Sequence, residues 1–292
     1  MSFARRKLRV TIGIGRGTNG EGGQDFYTLP DGLRTRAHVE NVGGYALSSA
    51  QVRIAGLTMD LMNKVSSLGL SIRRTRVNSL RLEAGDVGGG MVTVFQGTIN
   101  EAWHDFGNAP ETALSITAFM GLREQLLPVP PTSIRGPADA VTIMADLAGK
   151  IGFGFENAGV QGVILQNPYF SGTAREQIIK CAQAGGFDQV LENSVLIICP
   201  HGGSRNGVVP LISKDTGMVG YPSVGGQNNI RCRTEFHPGL AHLGRVKIQS
   251  VIGPANGVWQ INILSHDLES ETPGGSWFSE FEAGPLGVIR IA

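Results

Sequence analysis

The chain has 292 residues, of which 41% are hydrophobic, so it can bury a sizeable core, and these proportions argue against intrinsic disorder. Its 25 basic and 24 acidic residues leave a net charge of +1, which argues against a dedicated nucleic-acid binder, because such proteins carry a basic excess. The 42 glycines follow no collagen period and stand between short apolar runs, a pattern typical of many strands joined by tight turns.

The first third of the chain predicts a β-rich region. Residues 8–14 alternate apolar and polar side chains, as in a half-buried strand, and a glycine-rich loop follows at 15–23. Thr58 is placed to cap a short helix over 58–68, and Gly69 ends it. Further strands are predicted at 34–42, 49–56, 78–84, 91–103 and 112–119.

The middle third predicts an α/β region. Four prolines within 126–137 indicate a connector, and a helix is expected to follow, with Pro137 near its first turn. Thr173 and Glu176 have the spacing of a capping box, so they predict the start of a second helix. Residues 187–200 predict a hairpin that turns at Glu192-Asn193-Ser194.

The last third alternates again and predicts β structure. The predicted strands are 229–236, 244–252 and 257–268, the last two joined by the turn GPAN into a hairpin. Together these patterns predict an α+β protein that is predominantly β. We expect three domains, at 1–125, 126–205 and 206–292.

Cellular location is constrained by the cysteines and by the apolar runs. Cys181, Cys199 and Cys232 lie far apart and make no disulfide framework, which favours a reducing compartment. The basic start has no apolar region after it, so no signal peptide is expected. The apolar run at 195–199 is far below the ~20 residues that span a bilayer. We therefore expect a soluble protein made in the cytoplasm, with no membrane partner.

The stretch CRTEFHPGLAH, residues 232–242, raises the question of a metal site, because a cysteine and two histidines lie close together. Zinc ligands usually come in closer pairs, such as Cys-x2-Cys or His-x3-His, whereas here the spacings are five residues. His266 would be a distant fourth ligand. Because alternation puts Cys232 on an apolar strand face, we interpret the stretch as strand, turn and strand, and expect no metal and no cofactor.

Other motifs resemble parts of catalytic or binding sites but are incomplete. GIGRG (13–17) follows a strand, but no helix start follows it, as a phosphate-binding loop requires. HGGS (201–204) has no Gly-x-Ser-x-Gly elbow to accompany it. A pair of carboxylates could cleave glycosides, but the sequence alone does not place the candidate residues near each other. These candidates are Asp215, Glu235 and Asp267.

The tail at 277–292 is strongly apolar for a chain end, so it either packs on a partner or folds back on its own subunit. We predict an intermolecular contact. The candidate contact residues are Trp277, Phe278, Phe281, Val288, Ile289 and Ile291.

Three stretches in this order resemble bacteriophage tail baseplate hub proteins, which are also similar to the hub part of contractile injection system spikes. The stretch 94–122, with its F-x-G-x-I and L-x-I-x-A strands, resembles the first barrel of the hub. The stretch 171–200 resembles the helix and hairpin of the middle domain. The stretches 213–250 and 257–283 resemble the second barrel, with Gly-Tyr-Pro, Phe-x-Pro and Trp-Phe motifs. The resemblance covers most of 90–283 and is weak over 1–60.

The resemblance implies two tail-tube-like β-barrel domains with a small α/β domain between them. It implies a non-enzymatic virion structural protein, a homotrimeric ring that joins the tail tube to the central spike at the virion tail tip. Implied partners are the spike, the tail tube or distal tail protein, and the tape measure protein, and DNA would pass without specific binding. The alternative from a different class is a tail-tip cell-wall hydrolase, using a metal or a carboxylate pair.

Overall fold

The computed structural model describes residues 6–15, 24–44, 46–66, 77–86, 88–109, 111–225 and 228–286. The β-strands in these ranges are β1 Arg6–Gly15, β2 Gln24–Thr28, β3 Thr35–Asn41, β4 Ser49–Ala55, β5 Ser79–Asp86, β6 Met91–Asn108, β7 Glu111–Phe119, β8 Thr132–Ser133, β9 Pro137–Asp139, β10 Gly154–Asn157, β11 Ile164–Gln166, β12 Tyr169–Phe170, β13 Phe187–Glu192, β14 Val195–Pro200, β15 Leu211–Ser213, β16 Met218–Val224, β17 Ile230–Glu235, β18 Arg245–Gln249, β19 Gly257–Ser270 and β20 Trp277–Pro285. The α-helices are α1 Met59–Val65, α2 Leu122–Leu126, α3 Ala140–Lys150 and α4 Ala174–Gly185.

The chain divides into two compact units. Unit 1 comprises Met1–Glu40, Ser48–Leu122 and Ser265–Phe278, and unit 2 comprises Asn41–Leu47, Arg123–Leu264 and Ser279–Ala292. Strands β19 and β20 therefore each contribute residues to both units. The three-domain division at 125/126 and 205/206 stays a prediction.

Unit 1 is an antiparallel sheet with one buried side. Its strand order is β3-β4-β7-β6-β5-β1-β2, and the end of β19 lies beside β3. Burial along β3 alternates strictly, as the sequence pattern of 34–42 predicts. The buried side chains of unit 1, together with Met62 and Val65 of α1, form its core. Among these residues are Leu8, Val10, Ile12, Val52, Ile54, Leu80, Leu82, Phe95, Leu114 and Ile116.

Unit 2 contains an antiparallel group of strands, in the order β16-β17-β20-β19-β18, with β15 added in parallel to β18. Its core includes Ile230, Val246, Ile261 and Phe281. A separate core lies between α3, α4 and the three-stranded sheet β10-β14-β13. The sequence predicts both strands of the β13–β14 hairpin, whereas the parallel neighbour β10 has no clear sequence signal.

The helix starts follow their capping residues. The Thr173 hydroxyl accepts from the Glu176 backbone N–H and the Glu176 carboxylate accepts from the Thr173 N–H, so the predicted capping box is confirmed. The Thr58 hydroxyl caps α1 by accepting from the Leu61 backbone N–H. One helix start is corrected: Pro137 lies in strand β9, and Asp139 is the N-cap of α3. The Asp139 carboxylate accepts from the Thr142 N–H, which lets the helix begin at Ala140, directly after the strand that pairs with β11.

The predicted class, α+β and predominantly β, is confirmed. The strand tracts called by alternation recur with shifts of a few residues, and β6 extends past its predicted end to Asn108. No helix in the described ranges combines the length and the apolar character that a membrane span requires.

Candidate interaction surfaces

Strand β17 carries the first half of the stretch CRTEFHPGLAH. Burial alternates along it, so Cys232 faces the core while Arg231 and Arg233 face solvent. Burial raises the pKa of the Cys232 thiol to about 11. The prediction that Cys232 lies on the apolar face is confirmed.

The histidines near Cys232 each have a structural hydrogen bond or a buried position. His237 Nδ1 accepts from the Gly239 N–H at 3.1 Å, which shapes the turn after β17, and burial lowers the pKa of His237. Buried His242 donates from Nε2 to the Asn262 carbonyl at 2.9 Å. His266 is buried, and burial lowers its pKa to about 4. Within the described part of the chain, no three His, Cys, Asp or Glu side chains are grouped to hold a metal ion.

The three candidate carboxylates occupy unrelated local settings. Asp267 accepts from His38 Nδ1 at 2.7 Å in unit 1. Glu235 is exposed at the end of β17, and Asp215 lies in the turn after β15. In HGGS, His201 Nδ1 donates to Asp188 at 2.6 Å. Gly13 to Gly15 of GIGRG belong to strand β1, and the rest of that loop lies outside the described residues.

The predicted contact residues of the tail divide into two groups. Trp277 and Phe281 are buried within their own chain, and Phe278 is half-buried. All three lie on β20, an inner strand between β17 and β19. Val288, Ile289 and Ile291 lie outside the described residues. The intermolecular contact stays a prediction, and its most accessible described member is Phe278.

Arg205 forms a charged cluster that the sequence does not reveal. Its guanidinium donates to both carboxylate oxygens of Glu156, at 3.0 and 2.6 Å, and it also donates to Glu192. Burial raises the pKa of Glu192, and the neighbouring Arg205 opposes that rise. The cluster ties the segment after β14 to strands β10 and β13 of unit 2. Glu192 and Glu156 lie 13 and 49 residues from Arg205 in the chain, so no local pattern predicts the cluster.

The solvent side of the unit 1 sheet is a largely polar surface, which we call the polar face, and it also carries the exposed aromatic side chains of Phe26 and Trp103. Directly opposed residues of an antiparallel pair point to the same side, so the strand register identifies its members. Arg9 lies opposite Glu83, and Arg53 lies opposite both Arg36 and Ser115. Its uncharged polar members include Thr11, Thr28, His38, Gln51, Thr93, Gln96, Ser115 and Thr117.

Every cation of the polar face has a carboxylate partner. The pairs and their N–O distances are Arg9–Glu83 3.6 Å, Arg34–Glu111 3.1 Å, Arg36–Glu269 3.3 Å, Arg53–Asp105 2.9 Å and Arg81–Glu83 2.9 Å, together with Lys7–Asp31 at the rim. Glu40, Glu101 and Asp267 add three more carboxylates. Counting Lys, Arg, Asp and Glu of the described residues, the polar face has six cations and eight carboxylates, a formal net charge of −2.

The architecture defines the chain as a sheet-dominated α+β protein whose two units each bury one side of an antiparallel sheet. No protein-family model matches the chain, and no curated protein matches its sequence. Its similarity to known proteins is therefore a similarity of fold.

That fold is the fold of phage tail proteins. A tail protein from Neisseria meningitidis MC58 matches with a TM-score of 0.60 at 12% sequence identity, covering 96% of this chain and 98% of that chain. The 43 kDa tail protein of prophage MuSo2 from Shewanella oneidensis matches with a TM-score of 0.59 at 9% identity, covering 96% of each chain.

A third solved structure is a type VI secretion system component from Escherichia coli, described as similar to the phage T4 tail proteins gp27 and gp5. It matches with a TM-score of 0.59 at 11% identity and covers 89% of this chain and 76% of that chain. The resemblance to tail proteins inferred from the sequence is confirmed at the level of the fold.

Proposed function

We propose that this protein is a baseplate hub, a structural component of a phage-type tail. In this proposal its copies form a homotrimeric ring that joins the tail tube to the central spike and lets DNA pass. The observation that carries the proposal is the match of 96% of the chain to tail proteins from two bacteria. Because the sequence identity is only 12% and 9%, the match supports the fold, and the hub role is our proposal.

The sheet architecture supports a ring-building subunit. Two antiparallel groups of strands in one chain, one in each unit, would allow each subunit to supply two tube-like barrels, with the region 126–205 between them. Three subunits would then present six similar barrels to a sixfold tail tube. Closed cyclic symmetry is the ordinary way for one interface to repeat without producing an open filament.

The proposed partners follow from the position of a hub at the virion tail tip. The spike would bind one end of the ring and the tail tube or distal tail protein the other, with the tape measure protein inside. The similarity of the Escherichia coli neighbour to gp27 and gp5 supports the link to a spike assembly. The chain would act without catalysis and would be assembled in the host cytoplasm.

The ring is tested by measuring mass in solution. A permanent interface of this kind buries on the order of 2,000 Å² or more, so a trimer should persist on dilution to nanomolar concentration. Mass photometry of the purified chain, alone and after mixing with the spike protein of the same tail, should show a species of three copies. A chain that stays monomeric or dimeric in both samples contradicts the proposal.

The position in the particle needs a separate measurement. Particles that carry a tagged copy of the chain can be labelled with gold and imaged. The label should lie at the tail tip, between tube and spike. A label distributed along the tube, or at the head, would contradict a hub role even if the protein is trimeric.

A further inference from the structure

The dipeptide Asn-Gly occurs three times in the chain, at Asn19, Asn206 and Asn256. We propose that Asn206 is a site of spontaneous modification, at which the side-chain amide becomes a carboxylate in the folded protein, and that Asn256 is protected from the same reaction. Glycine after asparagine favours this chemistry, because a residue without Cβ leaves its backbone nitrogen accessible and its backbone angles free. Asn19 lies outside the described residues.

The reaction needs only the chain and water. The backbone nitrogen of Gly207 loses its proton to hydroxide and attacks Cγ of Asn206. The Cγ–Nδ2 bond breaks, and the departing nitrogen takes a proton from water and leaves as ammonia, so that a succinimide ring remains. Water then opens the ring at either carbonyl, which gives aspartate or isoaspartate. Each event replaces a neutral amide with one negative charge, and no atom is oxidised or reduced.

Asn206 begins an exposed part of the connector that follows β14. Residues 206–208 are exposed, and the side chain of Val208 is 91% exposed. Residues 206–209, which we call the open span, belong to neither a helix nor a strand. Within the described ranges, neither the Asn206 amide nor the Gly207 N–H has a hydrogen-bond partner. The amide carbon and the attacking nitrogen can therefore approach each other without breaking any hydrogen bond.

Both ends of the open span are fixed within unit 2. Before it, the Arg205 N–H donates to the Leu243 carbonyl at 2.9 Å, and the Arg205 guanidinium is held by its two glutamates. After it, the carbonyl of buried Pro210 accepts from the Lys247 N–H at 2.9 Å. Because these anchors do not involve Asn206, we expect the modification to change the open span and to leave the fold intact.

Asn256 is also exposed, but its amide is held in place. Its Oδ1 accepts from the Ser250 N–H at 2.6 Å, and its Nδ2 donates to the Ser250 carbonyl at 3.0 Å. Gly257, which would supply the attacking nitrogen, begins strand β19 and lies opposite Ile248 of β18. Ring closure at Asn256 would break both side-chain hydrogen bonds, whereas at Asn206 none has to break. The two sites share their dipeptide and their exposure, and they differ in how the asparagine is held.

The test compares the two sites within one sample. The purified chain is incubated at pH 8, and aliquots are digested and mapped by mass spectrometry, with isoaspartate detected by enzymatic methylation from labelled S-adenosylmethionine. We expect Asn206 to deamidate at least about tenfold faster than Asn256, because two hydrogen bonds oppose the reaction only at Asn256. After unfolding in guanidinium chloride, the two sites should deamidate at the same rate. The peptide that contains Asn19 is read separately.

The variant Gly207→Ala tests the route of the reaction. A Cβ added to Gly207 meets no atom within 4 Å, and the backbone there is outside the left-handed region, so the fold should be unchanged. The added Cβ crowds the attacking nitrogen, and deamidation of Asn206 should therefore slow at least about tenfold while Asn256 keeps its rate. The variant Asn206→Asp provides the aspartate product as a standard and should melt at the same temperature as the natural chain.

Three outcomes overturn the inference. If Asn206 stays intact in the native chain but deamidates after unfolding, the folded connector prevents ring closure. Equal rates at Asn206 and Asn256 in the native chain would mean that the hydrogen bonds to Ser250 give no protection. A Gly207→Ala variant that deamidates at the natural rate would show that the Gly207 nitrogen is not the nucleophile. All three leave the proposed hub function standing.

Discussion

At the scale of single residues, Arg205 illustrates how a partly buried charge is stabilised. Its guanidinium donates to both oxygens of Glu156 and also to Glu192, so three charges share one partly buried site. Burial of separate charges is costly, and the bidentate geometry offsets that cost. The consequence is that each member depends on the other two.

Replacing Arg205 with alanine should therefore strongly destabilise the protein, because it leaves two carboxylates without their cation. We expect a loss of about 3 kcal/mol in the free energy of unfolding at pH 7, measured by urea denaturation. The raised pKa of Glu192 means that this carboxyl is protonated at a higher pH than an ordinary glutamate, so the loss should shrink as the pH falls. Arg135→Ala on the exposed surface is the control, and a similar effect of both variants would contradict the prediction.

The three cysteines should be inert in the native state. Burial raises the pKa of Cys181 and Cys199 to about 12 and that of Cys232 to about 11, so almost no thiolate forms at pH 8. A thiol reagent such as Ellman's reagent should react slowly with the native protein and with three thiols after denaturation. Rapid labelling of any one cysteine in the native chain would show that its strand or helix is wrongly oriented.

At the scale of elements, α4 shows local sequence and structure in full agreement. Its capping box supplies partners for two backbone N–H groups at the helix start, and Gly186 ends it with a left-handed φ of 67°. Thr173→Ala should cost about 1 kcal/mol of unfolding free energy, and Thr173→Ser should restore most of it, because serine keeps the hydroxyl. Thermal melting measures both, and equal stability of the alanine and serine variants would contradict the capping role.

The elements predictable from sequence are those whose patterns are local. Strict alternation marks β17, and the hairpin turn at Asn193 and Ser194 matches their positive φ angles of 48° and 63°. The sequence does not predict strand β9, because a proline such as Pro137 is also common in the first turn of a helix. Pairing with β11 places Pro137 in a strand instead. Strand β20 lies between β17 and β19. The apolar sequence of the tail does not predict this position, because it depends on residues that are distant in the chain.

The polar face is predictable from the sequence only in part, for the same reason. Alternation shows that Arg36, Arg53 and Arg81 point away from the core. It cannot show that Arg36 meets Glu269 of β19 or that Arg53 meets Asp105 of β6, because those pairs depend on strand order and register. Sequence reasoning thus yields a polar surface, and the fold reveals that its cations are paired.

At the scale of the whole molecule, the fold persists at sequence identities of 9 to 12%. A sheet needs apolar side chains on one side and polar ones on the other, and many sequences meet that condition. The specific contacts that stabilise this chain, such as the Arg205 cluster, are additional to this alternation of apolar and polar side chains. This is why strand patterns taken in order, and no single motif, carry the resemblance to tail proteins.

The chain end provides the last prediction, which concerns assembly. A truncation after Glu280 would remove Phe281 and Ala283 from the core of unit 2, so it would test folding and assembly together. A chain that ends at Leu286 keeps all of β20 and removes only 287–292, with Val288, Ile289 and Ile291. We expect the shortened chain to have the same melting temperature as the natural chain. We expect its rings to dissociate at protein concentrations at least about tenfold higher than rings of the natural chain, because apolar contacts add stability to interfaces.

The companion variant Phe281→Ala separates the two effects. It opens a cavity in the core and should cost about 3–5 kcal/mol of unfolding free energy, with a lower melting temperature. Phe278→Ala, at a half-buried position, should resemble the Leu286 truncation instead, since its side chain is the most accessible of the described candidate contact residues. Mass photometry over a dilution series compares all three. Rings of the truncated chain that persist to the same dilution as natural rings would assign residues 287–292 to the subunit itself and leave the interface to other surfaces.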